Sequence, residues 1–154
     1  MNTPPIQVHV EDASGAAGVP STADFVRWAQ AALAGRRSEG ELAIRVVDEA
    51  ESAELNGRYR KKSGATNVLS FPAELPRGVP PLAIGDLVIC APVVRREAQE
   101  QGKPLDVHWA HMVVHGCLHL LGFDHEDEAA AAEMEPLETD ILRQMGYPDP
   151  YALR

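Results

Sequence analysis

Hydrophobic and polar positions along the 154-residue chain follow two periods, which predict strands and helices in turn. Strand-like patterns, either alternating or short and apolar between turn residues, occur at residues 6–10, 42–47, 67–72 and 82–90. Gly85 interrupts the last of them and is expected to form a β-bulge. Four short strands are therefore predicted.

Helical spacing of apolar residues predicts five helices. The first starts near Ala23, behind a cap at Ser21 or Thr22, and ends at Gly35. The others are expected at 52–60, at 91–101, along the histidine-rich stretch before Gly122, and from about 126 to 145. Loops rich in small, polar or turn-forming residues separate these elements at 13–20, 61–66 and 75–81.

Pro136 lies inside the last predicted helix and should kink it or divide it in two, because its ring removes a backbone hydrogen bond. No repeat or linker divides the chain. The order of elements predicts an α/β fold in a single domain, residues 1–154. We expect a small mixed four-stranded sheet, about five helices, and a central buried helix that bears histidines.

The predicted histidine helix is apolar around nearly its whole circumference, which is typical of a helix buried in the core. One strip of it carries four histidines, namely His108, His111, His115 and His119. Packing alone is a poor explanation for a buried strip of four imidazoles. Because His115 and His119 are four residues apart, they lie on one helix face and can present two imidazoles to a single ion.

A third imidazole is available beyond the helix. Gly122 can take the left-handed conformation that ends a helix, so that the chain turns back and brings His125 to the same point. Three imidazoles leave a fourth position open, as in catalytic zinc sites. The spacing leaves one alternative, because His111 and His115 are also four residues apart. The set that ends at His125 is preferred, since only that set is followed by a chain reversal. The two histidines nearer the helix N-terminus are then expected to support the ligands, to face substrate or to pack in the core.

The composition is that of an ordinary globular protein, with 45% hydrophobic and 24% charged residues. The most apolar stretch carries the histidines, so no membrane partner is predicted. Residues 1–12 lack the basic and apolar regions of a secretory signal, which favours a cytoplasmic location. Cys90 and Cys117 lie in apolar segments and are interpreted as reduced core thiols.

The net charge of −9 argues against a protein that coats nucleic acid, and DNA is not predicted as a partner. One basic run stands out in this acidic chain and contains Arg58, Tyr59, Arg60, Lys61 and Lys62. A guanidinium can hold a phosphate with two hydrogen bonds, and a cation beside a metal stabilises charge that develops during phosphoryl transfer. A metal with local cations therefore favours a phosphodiester substrate. A zinc peptidase of the HExxH type is less favoured, because Gly116 stands where such an enzyme carries its general-base glutamate.

The histidine motif also carries a resemblance. HGCLHLLGFDH, residues 115–125, resembles the signature of the YbeY-type metal-dependent endoribonucleases, which are bacterial rRNA maturation factors. The likeness extends to LNGRYRKKSGATNVLSFP at 55–72, to IGDLVIC at 84–90 and to the closing MGYPDPY at 145–151. It covers most of the chain beyond the N-terminal third, in the expected order.

The resemblance implies an endoribonuclease that cuts single-stranded RNA, matures the 3′ end of 16S rRNA and takes part in ribosome quality control. Its partners would be rRNA and the ribosome or ribosomal proteins. It implies one zinc ion per chain, and the ligands are His115, His119 and His125. It also implies a catalytic role for Arg60. The neighbouring cations of the basic run are expected to contact substrate as well, namely Arg58, Lys61 and Lys62.

Two questions stay open at this point. If the RNA 2′-hydroxyl is the nucleophile, a general base is required, and Asp86 and His111 are the candidates. The competing class of function is a non-catalytic, zinc-stabilised ribosome assembly factor that binds RNA or ribosomal proteins. The two classes differ in one respect, because only an enzyme would lose cleavage in an Arg60→Ala variant that keeps its zinc and its fold.

Overall fold

The sheet at the centre of the fold is mixed, as the sequence predicts. The computed structural model describes residues 6–37, 39–73, 83–123 and 128–151. Its strands are β1 (Ile6–Asp12), β2 (Gly40–Val47), β3 (Val68–Pro72) and β4 (Ala83–Cys90). They lie in the order β1-β2-β4-β3, where the first three are parallel and β3 runs antiparallel to β4.

Five α-helices accompany the sheet in the described residues, which confirms the predicted α/β fold. They are α1 (Thr22–Leu33), α2 (Glu49–Leu55), α3 (Ala91–Gln101), α4 (Leu105–Leu120) and α5 (Glu128–Gln144). Ser21 caps α1, because its side chain accepts a hydrogen bond from the backbone N–H of Asp24.

Two local predictions, one for Gly85 in β4 and one for the second helix, had different outcomes. The irregularity expected at Gly85 is confirmed, since the pairing of β2 with β4 passes over one residue there, and a Cβ at this position would lie 2.5 Å from the carbonyl oxygen of Phe71. The second helix begins earlier than predicted, at Glu49, because the side chain of Asp48 caps it by accepting from the N–H of Glu51. It does not continue as an α-helix to Arg60 but ends in a π-helical turn.

Of the two outcomes predicted for Pro136, division of the helix does not occur, and α5 runs continuously through it. Buried side chains on both sides of the proline hold α5 against the core, namely Met134, Glu138, Ile141 and Leu142. Tertiary packing of this face therefore outweighs the roughly 3 kcal/mol that a proline costs inside a helix.

The histidine-bearing helix α4 is buried at the centre, as predicted, and contacts α1, α3, α5, β3 and β4. The larger core cluster lies on this face of the sheet and includes Leu87 and Ile89 of β4. Because successive strand residues point to opposite faces, Asp86 and Val88 face away from α4. On that opposite face of the sheet, Asp86 lines a groove of about 700 Å³.

Three further predictions concern the thiols, the membrane and the loops. Cys90 and Cys117 are both free and buried, as expected, and burial raises the pKa of Cys117 to about 12. None of the described helices is long and apolar enough to cross a membrane. The loop predicted at 75–81 and the start of the last helix at 126–127 lie outside the described residues.

Candidate metal centre and groove

The end of α4 is a turn that Gly122 makes possible. Gly122 has a φ of +101°, and its N–H donates to the carbonyl oxygen of His119 at 3.0 Å. The N–H of Phe123 donates to the carbonyl oxygen of Leu118 at 3.1 Å, which completes a Schellman motif. The left-handed conformation predicted for Gly122 is confirmed. It turns the chain back next to His119, and His125 lies outside the described residues.

Gly116 lets α4 approach the sheet closely. A Cβ at this position would lie 2.8 Å from Cδ2 of Leu87 and 3.2 Å from Cγ2 of Val68. The hydroxyl of Ser70 donates to the carbonyl oxygen of Gly116 at 3.2 Å and joins β3 to the helix. A glutamate in this place, which an HExxH peptidase needs, would collide with the sheet.

His115 lies between a buried carboxylate and a second histidine. Its Nδ1 is 2.7 Å from Oε2 of Glu138, and its Nε2 is 3.1 Å from Nε2 of His119. An ionised carboxylate only accepts hydrogen bonds, so Nδ1 of His115 carries the proton and donates it. Nε2 of His115 therefore directs its lone pair toward His119. Two ligands of a tetrahedral zinc ion at 2.0–2.1 Å would be roughly 3.3 Å apart, close to the observed spacing of the two nitrogens.

Glu138, on α5, is completely buried and accepts hydrogen bonds from three side chains. Besides His115, Nε2 of His111 lies 3.2 Å from Oε2, and the hydroxyl of Tyr151 donates to Oε1. Burial by itself raises the pKa of Glu138, but the hydrogen bonds from His111 and His115 outweigh it and lower the pKa to about 2. The carboxylate is therefore ionised at neutral pH.

Of the two histidines nearer the N-terminus of α4, His108 is packed in the core, which is one of the roles predicted for it, whereas His111 is mostly buried but also lines the groove that passes over the C-terminal half of α4. His108 is 2% exposed and His111 is 7% exposed. Each turns Nε2 toward a carboxylate, and Nε2 of His108 lies 2.9 Å from Oε1 of Glu97. Burial lowers the pKa of His111, against the effect of its hydrogen bond to Glu138. Within the described residues Nδ1 of both rings is buried and has no hydrogen-bond partner.

The group formed by His111, His115 and Glu138 could hold a metal ion, because its ligand atoms lie within 4.8 Å of one another. His119 lies on the other side of the His115 ring, at Nε2. The two nitrogens of one imidazole point in different directions, so the two ion positions are alternatives. The position at Nδ1 is the deeper one, since the side chains of Glu138 and His111 are 1% and 8% exposed while that of His115 is 16% exposed.

A groove of about 1,080 Å³ passes over the C-terminal half of α4. His115 and His119 line it from α4, and Arg60 and Lys62 line it from the basic run. Two residues of the predicted metal set and two of the predicted phosphate contacts therefore meet in one groove.

The other predicted site residues lie elsewhere. Arg58 pairs with Glu54 at 2.9 Å, and neither Arg58 nor Lys61 is among the described residues that line the groove. Asp86 lines the groove on the opposite face of the sheet, so it is not positioned as a base beside the histidines. This candidate was wrong because β4 is buried on both faces and its sequence does not show which way Asp86 points.

A π-helical turn, Asn56–Arg60, presents the basic run to the groove. It ends at Lys61, whose φ of +57° is the only positive value of a non-glycine residue in the described part of the chain. The amide of Asn56 donates to the carbonyl oxygen of Gly64 at 2.9 Å, and the carbonyl oxygen of Asn56 accepts from the N–H of Lys62 at 3.3 Å. Single π turns and left-handed backbone are both frequent at functional sites.

Sequence reasoning missed Glu138 and Tyr151. A signal for Glu138 was present, because it occupies the apolar face of α5, four residues after Met134 and four before Leu142. A carboxylate inside an apolar stripe requires a partner. Tyr151 lies in the closing MGYPDPY segment, where no pattern of neighbouring residues indicates its contact with Glu138.

Comparison with known proteins gives a consistent result. A family model described as Endoribonuclease YbeY matches residues 11–146. Endoribonuclease YbeY of Nitrosococcus oceani is 59% identical over 149 residues, which are 95% of this chain and 97% of that protein. The protein of the same name in Xanthomonas axonopodis pv. citri is 59% identical over 152 residues, with coverage of 96% and 94%. The solution structure of TM1509 from Thermotoga maritima covers 91% of both chains at 21% identity with a TM-score of 0.57, which shows a shared fold.

The fold and the groove define an α/β protein in which a histidine and carboxylate cluster that could bind a metal lies beside cations suited to phosphate. The chain belongs to the YbeY endoribonuclease family, which confirms the resemblance seen in the sequence. The name of the family describes enzymes that cut RNA internally.

Proposed function

We propose that this chain is a zinc-dependent, single-strand-specific endoribonuclease, formed as one domain by residues 1–154. Its role would be in 16S rRNA 3′-end maturation and ribosome quality control in the cytoplasm, with rRNA and the ribosome as partners. The observation that carries the proposal is the one groove lined by His115, His119, Arg60 and Lys62. Metal ligands and phosphate-binding cations in the same groove suit a phosphodiester substrate.

Nε2 of His115 and Nε2 of His119 would hold the proposed ion, one per chain, with His125 as the third ligand. The 3.1 Å spacing of the two Nε2 atoms is also a hydrogen-bond distance, but it lies close to the roughly 3.3 Å expected of two zinc ligands and is compatible with this position. The 2.7 Å between Nδ1 of His115 and Oε2 of Glu138 is a hydrogen-bond distance, well below the roughly 3.3 Å between two zinc ligands. The deeper position would also give substrate less access, because Glu138 is completely buried.

A bound zinc ion with an open position supplies Lewis-acid polarisation of a phosphoryl oxygen or of water. The guanidinium of Arg60 binds the non-bridging oxygens and stabilises the negative charge that develops on them. Lys62 holds a neighbouring phosphate as a point charge. His111 is a poor general base here, because its Nε2 is engaged with Glu138 and Tyr151.

The distribution of charge supports a short single-stranded substrate. The chain carries a net charge of −9, and its basic run is local. Tight binding of a long duplex requires many phosphate contacts over an extended basic surface. A groove with two cations beside the histidines instead suits a few nucleotides of a flexible strand.

The test is cleavage of an rRNA fragment with a single-stranded 3′ extension by wild type and two arginine variants. Arg60→Ala is expected to lower the cleavage rate about 10²-fold or more, because it removes the donor that stabilises the developing charge. Its zinc content should stay at the wild-type level. Arg96→Ala is the matched control, since Arg96 is exposed, pairs with Glu49 at 3.2 Å and does not line the groove.

Equal rates for wild type, Arg60→Ala and a zinc-free sample would indicate a contaminating nuclease and contradict the proposal. An absence of cleavage by zinc-loaded wild type would favour the non-catalytic assembly factor. The preparations must therefore be purified identically and analysed for bound zinc before the rates are compared.

A further inference from the structure

We propose that Glu138 is a positioning residue of the metal site, which fixes the proton of His115 on Nδ1 and so directs Nε2 toward an ion shared with His119. This inference rests on the proposed function, since it takes the ion position given there. It assigns the buried carboxylate a role outside the set of ligands.

The hydrogen bond between His115 and Glu138 determines which ring nitrogen of His115 carries the proton. A neutral imidazole carries one proton, and the hydrogen bond made by one nitrogen decides which nitrogen is left for a metal. Oε2 of Glu138 lies 2.7 Å from Nδ1 of His115, the shortest contact that either ring nitrogen of His115 makes in the described residues. The proton is therefore held on the side of the ring away from the groove.

The negative charge of the Glu138 carboxylate makes His115 a stronger metal ligand. Glu138 is completely buried, where charge-assisted hydrogen bonds are stronger than in water. A carboxylate that accepts the N–H of a metal-bound histidine raises the basicity of that ligand. Its negative charge also favours a cation on the far side of the imidazole.

Hydrogen bonds from other side chains hold the Glu138 carboxylate in its orientation. The hydroxyl of Tyr151 donates to Oε1 of Glu138, and Nε2 of His111 lies 3.2 Å from Oε2. The backbone N–H of Tyr151 donates to the side chain of Asp149 at 2.8 Å, which orders the segment that follows α5. Both carboxylate oxygens are thus engaged, so the group cannot rotate away from His115.

A second carboxylate–histidine pair on the same helix provides a matched control. Oε1 of Glu97 lies 2.9 Å from Nε2 of His108, and the amide of Asn67 donates to the same oxygen at 3.2 Å. Both carboxylates contact a buried side of α4. Only Glu138 contacts a histidine that also faces His119.

The experiment measures the dissociation constant of zinc by competition with a chromophoric chelator. Glu138→Gln is expected to raise this constant about 10–100-fold, since the neutral amide is a weaker acceptor and can place its NH₂ group against His115. Glu97→Gln should bind zinc as wild type does. Tyr151→Phe keeps the carboxylate but frees one of its oxygens, and it should weaken binding in the same direction and less. This variant keeps the test valid if Glu138→Gln does not fold.

A second readout is the position of the His115 proton, measured by NMR on protein with isotope-labelled imidazoles. In zinc-free wild type the proton should be on Nδ1, and in Glu138→Gln both tautomers should be populated. In cadmium-loaded wild type the metal nucleus should couple to Nε2 of His115. A residue that only stabilised the fold would change neither signal.

Glu138→Gln with wild-type zinc affinity and an unchanged His115 proton would overturn the inference, as would coupling of cadmium to Nδ1. If wild type binds zinc and cuts RNA but Glu138→Gln does so equally well, only this inference fails. If wild type binds no zinc, the proposed function fails together with it.

Discussion

The two carboxylate–histidine pairs on α4 have the same chemistry and opposite orientations. His108 turns Nε2 to Glu97, whereas His115 turns Nδ1 to Glu138. In the first pair the remaining nitrogen of the ring is buried without a partner in the described residues. In the second pair the remaining nitrogen lies next to His119, at the groove. In these two pairs, the ring nitrogen that the carboxylate occupies therefore distinguishes a histidine of the core from a histidine of the site.

The comparison shows why helical spacing is insufficient to choose the ligands. His111 and His115 have the same spacing as His115 and His119, but their ring centroids are 6.1 Å apart and those of the second pair are 4.6 Å apart. Exposure separates the two halves of α4 as well, since the side chain of His108 is 3% exposed and that of His115 is 16% exposed. Neighbouring helices create this difference, because α3 supplies Glu97 and α5 supplies Glu138.

Among the variants that test this difference between the two pairs, His119→Ala is expected to have the largest effect on zinc content and cleavage. This change removes a proposed ligand from the site half of α4, and the chain should lose its zinc. Cleavage should fall by about 10³-fold or more, since metal assistance contributes several kcal/mol to phosphoryl transfer. Zinc per chain and single-turnover cleavage are the measurements. Full zinc content in this variant would contradict the proposed position and favour the deeper group of His111, His115 and Glu138.

A smaller effect of a different kind is expected from Glu97→Gln, in the core half of α4. Zinc content and cleavage should be unchanged, while the free energy of unfolding at neutral pH should fall by about 1–3 kcal/mol, because a charged hydrogen bond to His108 is weakened. Urea unfolding of the zinc-free proteins measures this. A loss of zinc in Glu97→Gln would show that the two pairs are not separate in function.

The pH dependence of that difference follows from the pKa of Glu97. Burial raises this pKa, but the hydrogen bonds with His108 and Asn67 outweigh burial, and the pKa lies below its ordinary value of 4.5. The folded state therefore favours the ionised form, and the stabilisation is fully present above pH 4.5 and is lost as the pH falls through the lowered pKa. Wild type and Glu97→Gln should converge in stability in acid, and a constant difference down to low pH would contradict this assignment.

Features that depend on a few neighbouring residues could be predicted from the sequence. The buried histidine helix, its end at Gly122 and the basic run are all of this kind, and the structure has each of them where the sequence indicates. The four strands and five α-helices of the described residues likewise follow from local periodicity, although the second helix begins and ends earlier than predicted. Glu138 could not be assigned in this way, because its role depends on how α5 packs on α4.

The face of an element on which a residue lies is a second feature that the sequence alone could not predict. β4 is buried on both sides of the sheet, so its sequence has no alternation that would orient Asp86. Arg58 and Arg60 are two residues apart in one basic run, and only the π-helical turn separates the arginine that pairs with Glu54 from the one at the groove. Composition alone treats the two as equivalent.

The smallest expected effect distinguishes two cations of that run, Lys62 at the groove wall and Arg58 in its pair with Glu54. Lys62→Ala should weaken binding of a short single-stranded RNA and reduce the slope of log affinity against log salt concentration by about 0.7, the value of one phosphate contact. Arg58→Ala should leave the slope nearly unchanged, because its guanidinium is engaged away from the groove. Fluorescence anisotropy at several salt concentrations measures both. If the slope falls equally in the two variants, the RNA also contacts the outer side of the π-helical turn. The RNA-binding surface would then extend beyond the groove.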